Sequence, residues 1–333
     1  MSLLTVGLPI YNSMPYLRES VESLLAQTVS DFEILAVVDD CTDGSVEYIE
    51  SVKDSRLRIL RQPKSGLIPT LNRMLKEVET PWLVRQDTDD ISYPSRIRTL
   101  IEGIKDNPHA GMFCSLAEYY PPKQSIGMFR CTRGTPENFR NIVGEGYLLS
   151  FCHSSVALNV EKTLSLGGYR NLKHAEDADL WWRMALQYDI HLLNEALVGY
   201  RHHSTQSTTH GTEQQTAYAL FIQYLLLSHL WSLPAQPWDC VKEVLGGLVS
   251  KKDARSKELI REVNINLSNH QYIKAVESFA RSFAASPSYL IGRIKDEFLP
   301  GVSIVNGVSP KLFLERKHEL WPDPVVLMEN PSL

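Results

Sequence analysis

Short apolar runs alternate with stretches of helical periodicity between residues 5 and about 107, and this alternation confines the chain to an α/β architecture. The runs LTVGLPI, FEILAVV, RLRIL and WLVRQ read as strands, too short and too continuously apolar for surface helices. Between them PYLRESVESLLAQ, SVEYIESVK and LIPTLNRMLKEV read as helices, the first with Leu17, Val21, Leu24 and Leu25 on one face. Repeated βα units imply a parallel sheet covered on both faces, with ligands met beyond the carboxyl ends of the strands.

The fourth run continues into QDTDDISYPSRI, which sets Asp87, Asp89 and Asp90 together at such an end. Carboxylates that close repel one another, so the cluster is costly unless a cation or a set of donors meets it. A cap on the next helix, read as opening at Pro94, would use Asp89 or Ser92 and leave the other carboxylates unexplained.

A net charge of −5 argues against a nucleic-acid partner, because phosphate affinity needs a concentrated Lys/Arg surface. The five cysteines form no C-x-x-C pair, which argues against a zinc cluster or disulfide framework and for a reducing cytoplasm. The opening MSLLTVGLPIYNS lacks the marks of a signal peptide, and FIQYLLLSHLW falls short of the roughly 20 apolar residues of a bilayer span. The expectation is a cytoplasmic protein with no transmembrane segment, with peripheral association at the inner face of the membrane left open.

Beyond residue 107 the pattern is mixed. GMFCSLAEYY and HSSVALN read as strands, TPENFRNIV and EDADLWWRMALQY as helices. After YRHHSTQST the periodicity is helical over residues 212–231, 237–249, 254–268 and 272–284, and the last stretch is rich in Pro and Gly.

The first βα junction, GLPIYNSMPYL, has neither G-x-G-x-x-G nor a P-loop, so a bound diphosphate needs another counter-charge. A divalent metal on Asp87 and Asp89 would supply it. At the end of the second strand, VVDDCTDGS sets Asp39 and Asp40 where carboxylates could accept bonds from an imide N–H or ribose hydroxyls, or simply cap the helix from Ser45.

Together VGLPIYNSMPYLRESVESLLAQT, FEILAVVDDCTDGS, RQDTDDISYPSRI, SLGGYRNLKHAEDADLWWRMA and LVGYRHHSTQST resemble the family 2 glycosyltransferases, over about residues 4–207. The resemblance implies the GT-A fold of nucleotide-diphospho-sugar transferases, with a mostly parallel central sheet followed by a helical C-terminal region. It puts Pro9 and Tyr11 at the donor nucleotide, Asp39 on the base, Asp87 on the ribose or metal, and Asp89 on the metal. Aligned without a gap, Val38 replaces the family's first Asp and Asp40 takes a Gly position. Arg73, in the Asn-Arg pair of LIPTLNRML, is assigned to the nucleotide. Asp177 matches the catalytic base, and His203 matches a histidine used on metal or phosphate; His153, His174 and His202 are acceptor-side or structural candidates.

The implied activity is metal-dependent inverting transfer, with Mn2+ or Mg2+, from a nucleotide-sugar donor such as a UDP-sugar to a hydroxyl of a carbohydrate or lipid-linked acceptor. The expected organisation is a catalytic domain over 1–210, with a nucleotide-binding half at 1–107 and an acceptor half at 108–210, then a helical region at 211–299 and a partly irregular tail at 300–333. Acceptor choice is expected between about Gly111 and Gly168. Two rivals stand beside this reading: a sugar nucleotidyltransferase, whose glycine-rich first loop is missing here, and a silent carbohydrate-binding relative, against which Asp87, Asp89 and Asp177 argue.

Overall fold

The computed structural model describes residues 2–121, 128–201, 203, 212–248, 250–268, 270–298 and 305–322. In chain order they form β1 (Leu4–Ile10), α1 (Leu17–Leu25), β2 (Glu33–Asp39), α2 (Ser45–Ser51), β3 (Leu57–Gln62), α3 (Leu67–Glu77), β4 (Trp82–Arg85), β5 (Ile91–Ser92), α4 (Arg96–Asp106), β6 (Met112–Tyr120), α5 (Pro136–Gly144), β7 (Val156–Asn159), α6 (Val160–Ser165), α7 (Glu176–Gln187) and β8 (Ile190–Arg201). Helices follow: α8 (Thr212–Leu230), α9 (Trp238–Gly246), α10 (Lys251–Ser268), α11 (Tyr272–Ala285), α12 (Pro287–Phe298), α13 (Pro310–Glu315) and α14 (Lys317–Leu320). The chain divides into two compact units, one of residues 1–137, 151–172 and 183–202, the other of 138–150, 173–182 and 203–333.

The first unit holds one sheet in the order β3-β2-β1-β4-β7-β6-β8-β5. β3, β2, β1 and β4 are parallel neighbours, as the βα alternation predicts. The direction reverses at β7, antiparallel to both β4 and β6, while β6 and β8 are parallel and β5 is antiparallel to β8. Leu4, Val6, Trp82 and Val84 pack with Leu24, Ile97 and Leu100 in one core cluster, and Leu8, Ile10, Ala36 and Val38 pack with Leu17, Val21 and Ile49 in another. These clusters fix the strands from which the site residues emerge.

Two local expectations need correction. The helix after the acidic cluster opens at Arg96, not Pro94, and neither Asp89 nor Ser92 caps it. Its first turn is held instead by Gln27, whose Oε1 accepts the Ile97 N–H at 3.0 Å and whose Nε2 donates to the Tyr93 carbonyl at 2.9 Å. HSSVALN begins as a 3-10 turn, His153–Ser155, because the Ser155 N–H and hydroxyl both return to the Cys152 carbonyl, at 2.9 and 2.8 Å; the strand starts only at Val156.

The second unit is organised on α8. Buried Gln223 donates to the Gly146 and Val308 carbonyls at 2.8 and 2.7 Å, Tyr218 stacks on Trp238, and Trp321 donates to Ser228 at 2.9 Å. Within the stretch expected to be an irregular tail, residues 305–322 hold α13 and α14, anchored by buried Phe313, Leu320 and Trp321. Among the described residues no helix is long and apolar enough to cross a membrane.

Candidate active site

The parallel order β2-β1-β4 brings the carboxyl ends of three strands to one edge of the first unit, and with them Pro9, Tyr11, Asp39, Asp87 and Asp89. The loops there are tied to one another. Asn12 Oδ1 accepts the Thr42 N–H at 2.8 Å, Asp43 accepts the Met14 N–H at 2.8 Å, and the Thr88 hydroxyl donates to Ser13 at 2.9 Å. Exposed Tyr11 receives a hydrogen bond from Lys64 at 2.7 Å, with the ammonium 4.8 Å from its ring.

Asp39 ends β2 and is buried. Its Oδ1 accepts from Gln62 Nε2 (2.9 Å) and from the Ser65 N–H (2.8 Å) and hydroxyl (3.0 Å), while Oδ2 accepts the Gly66 N–H at 2.8 Å. Burial alone would raise its pKa, but these donors outweigh burial and hold the carboxyl below its usual range. Gly66 sits at φ 91°, ψ 173°, a backbone open essentially to glycine alone, and this lets its N–H face Asp39. Arg73 reaches the same group indirectly: its Nη1 donates to Gln62 Oε1 at 3.1 Å and to the Arg61 carbonyl at 3.0 Å. Asp39 therefore shapes the β3–α3 turn, and Gln62 links it to Arg73.

The acidic turn after β4 rests on two buried guanidinium groups. Arg85, 1% exposed, pairs with Asp87 Oδ1, and Ser154 donates to Asp87 Oδ2 at 3.0 Å. Burial would raise the Asp87 pKa, but the Arg85 charge and the Ser154 bond help hold it low. Fully buried Arg96 donates to Gln86 Oε1 (2.5 Å), the Ser92 hydroxyl (2.7 Å) and the carbonyls of Arg85 (2.7 Å) and Ser154. Burial lowers its pKa to about 10, so it stays charged at neutral pH. Asp90 is different. Its Oδ1 accepts the Arg201 N–H at 2.9 Å, its buried Oδ2 has no partner among the described residues, and burial with the Asp89 and Asp87 charges pushes its pKa well up. Arg201 also donates to the Asp89 carbonyl at 2.8 Å and lies over the rings of Tyr16 and Tyr120.

The Gly-Gly-Tyr turn joins this side of the unit. Asn72 grips the main chain of Tyr169 with both ends of its amide, at 2.8 and 2.9 Å, and Arg183 donates to the carbonyls of Leu166 and Gly168, both at 2.9 Å. Gly168, at φ +69°, has no room for a side chain, since a Cβ would stand 2.6 Å from Asn72 Oδ1. The Tyr169 hydroxyl meets His153 Nε2 at 2.9 Å; burial, then Arg85, depresses the His153 pKa to about 3, so the ring is neutral.

Asp177 and His203 belong to the second unit. Asp177 lies half-buried in the first turn of α7, where its Oδ1 accepts the Ala178 N–H at 2.7 Å, and the preceding Ala175 holds a left-handed backbone, φ 60°. Neighbouring Asp179 is fully buried. His203 is half-buried, His174 packs edge-on against Tyr218, and His202 lies outside the described residues.

Among the described residues no cluster of three or more His, Cys, Asp or Glu is arranged to hold a metal ion. The carboxylates of Asp87 and Asp89 are hard oxygen donors two residues apart in one turn, which suits a cation completed by substrate phosphates, not a protein cage.

Residues 5–164 match the family model described as glycosyl transferase family 2. This segment is a family 2 glycosyl transferase domain. EpsE of Bacillus subtilis (strain 168), named as a glycosyltransferase, is 27% identical over 186 residues, 54% of this chain and 65% of EpsE, so the match spans less than two thirds of that relative. Among solved structures, S. aureus TarS 1–349 in complex with UDP-GlcNAc is similar in fold, with TM-score 0.57 and 16% identity over 88% of this chain and 92% of TarS 1–349. The mannosyltransferase PcManGT from Pyrobaculum calidifontis, in complex with GDP-Man and Mn2+, is similar with TM-score 0.50 and 16% identity over 90% of this chain and 81% of its own. The family 2 domain is that of a transferase enzyme, and the α/β fold with C-terminal helices is that of GT-A glycosyltransferases.

Sequence reasoning missed Gln62, Arg96, Ser154 and Arg201. Arg201 carried a signal, since it stands in the YRHH motif beside the chosen His203. The others are ordinary polar residues whose contacts exist only once distant strands meet.

Proposed function

We propose that the chain transfers a sugar from a nucleotide-diphosphate donor, a UDP-sugar, to a hydroxyl of a carbohydrate or lipid-linked acceptor at the cytoplasmic face of the membrane, with inversion at the anomeric carbon. The observation that carries this reading is the set Asp39, Asp87 and Asp89 at the carboxyl ends of adjacent strands of a family 2 domain, the edge where such sheets bind ligands.

Asp39 holds the β3–α3 turn against the nucleoside and uses the remaining lone pair of Oδ2 for the base, with Tyr11 and Pro9 beside it. Gln62 orients Arg73 toward the nucleotide. Asp89, with Asp87 on the ribose or the metal, holds Mn2+ or Mg2+, and His203 is a further ligand. Bound there, the metal would neutralise charge on the diphosphate leaving group. Asp177 takes the proton from the acceptor hydroxyl as its oxygen attacks the anomeric carbon opposite the leaving diphosphate. A single displacement inverts the centre.

Incubation of the pure protein with a panel of nucleotide sugars and Mn2+, with released nucleotide measured, tests this reading. Release of UDP supports it. Release of pyrophosphate would point to nucleotidyl transfer, and metal-independent binding without turnover to a silent relative.

A further inference from the structure

Arg201 ends β8, and the pairing of that strand carries it to the acidic turn. β5 follows Asp90 directly and runs antiparallel to β8, with Ile91 opposite Gly199 and Ser92 opposite Val198. Continued two residues outward, that register sets Arg201 beside Asp89. The bonds follow it: the Arg201 N–H donates to Asp90 Oδ1 at 2.9 Å, and the side-chain Nε donates to the Asp89 carbonyl at 2.8 Å.

The guanidinium is itself held from several sides. Its central carbon stands 4.9 Å from the centre of the Tyr16 ring and 4.8 Å from that of Tyr120, and Nη2 reaches Glu19 at 2.5 Å. The Arg201 side chain is 12% exposed, that of Glu19 55%. An ion pair with so exposed a carboxylate contributes little, whereas two aromatic contacts and a largely buried stem fix the direction of the planar donor. What this fixed donor grips is the main chain of Asp89. The acidic turn is therefore held at both ends, by Arg85 and Ser154 on Asp87 and by Arg201 on Asp89 and Asp90. With its carbonyl held, the Asp89 carboxylate is left only the directions its own staggered rotamers allow, and a cation bound by one or two carboxylates depends on where those oxygens point.

From this register and these bonds we infer that Arg201 is a positioning residue for Asp89: it aims that carboxylate at the metal ion of the donor and does not meet the donor itself. The inference rests on the proposed metal-linked binding of the diphosphate through Asp89.

Calorimetric titration of UDP into the full chain, over a range of Mn2+ concentrations and in chelator, tests it in the parent, Arg201→Met, Asp89→Ala and Asp89→Ala/Arg201→Met. Methionine keeps an unbranched apolar stem against the two tyrosines and removes the donors, while the main-chain bond to Asp90 survives. The Mn2+ concentration that half-restores UDP affinity should rise about tenfold in Arg201→Met, the weight of one hydrogen bond from a charged donor. UDP affinity in chelator should match the parent, and Arg201→Met should add nothing in the Asp89→Ala background, because it acts through that carboxylate. Glu19→Gln, which removes only the exposed ion pair, should shift the Mn2+ requirement by less than about twofold. Arg201→Lys keeps the charge but not the fixed direction of Nε–H; it should fall between the parent and the Met variant, and it carries the test if the Met variant does not fold. A parent-like Mn2+ requirement in whichever Arg201 variant folds, whatever its melting temperature, would make the residue merely structural and overturn the inference. An equal loss of UDP affinity in Mn2+ and in chelator would put the guanidinium on the diphosphate itself and overturn it as well. UDP binding by the parent that ignores Mn2+ would instead remove the metal reading, and the inference with it.

Discussion

Ser154 and Asp87 hold each other through a reciprocal pair of hydrogen bonds: the Asp87 N–H donates to the Ser154 hydroxyl at 3.0 Å, and that hydroxyl donates back to Asp87 Oδ2 at 3.0 Å. The first carboxylate of the acidic turn is thus fixed by a residue far along the chain, in the 3-10 turn before β7.

Ser154→Ala should therefore act on both stability and donor binding. It leaves a backbone N–H without its partner and removes one of the donors on a charged carboxylate, an expected loss of about 1–3 kcal/mol. Urea unfolding should show that loss, and UDP affinity should fall, whereas Ser154→Thr should retain most of both.

Arg96 is the fastener between β4 and the same 3-10 turn. Arg96→Met would strand Gln86, Ser92 and two carbonyls in the interior, at an expected cost of about 3–5 kcal/mol. Arg96→Lys keeps the charge but loses the planar fork that serves four acceptors, so thermal melts should place it between parent and Met variant.

Asp90 gives the fold a pH signature of known sign. Its folded pKa lies above the unfolded value of 3.8, so the folded state keeps a proton that the unfolded state releases as pH rises through about 4. The group therefore subtracts stability above that pH and nothing below it. Asp90→Asn, which cannot ionise, should gain stability relative to the parent between about pH 4 and 8, the gap closing toward acid. Melting both proteins across that range is the check; a gap that widens toward acid would contradict the assignment.

The parallel strands were legible because four apolar runs alternated with helical periods, and the carboxylates were legible because three stood together after one of those runs. What held them was not. Arg96 sits in SYPSRI like any surface arginine, Ser154 like any turn serine, and Gln27 ends α1 as a polar residue with no visible duty. Each acquires its role from a partner 58 to 70 residues away, which local periodicity cannot report. α11 marks a different limit: its helical period predicts the helix correctly, but the face it buries carries Ala275, Ser278 and Ser282 and not its large apolar residues.

Asp177→Asn should separate chemistry from donor binding. The amide keeps the size of the carboxylate but cannot take a proton from an acceptor hydroxyl, so transfer should fall about 10²–10⁴-fold while UDP affinity stays within a few-fold. Glu176→Gln removes the neighbouring charge from the same helix turn and should cost much less. Transfer by the Asp177 variant at near the parent rate would place the base elsewhere.

Calorimetric titration of UDP into the parent and into Asp89→Ala, each with Mn2+ and with chelator, bears most directly on the acidic turn as a donor-phosphate site. With no glycine loop to cradle a diphosphate, the cation must meet its charge, so parent affinity should drop sharply on chelation and Asp89→Ala should bind with Mn2+ about as weakly as the chelated parent. Equal UDP affinity with and without Mn2+ in the parent would contradict metal-linked donor binding through Asp89.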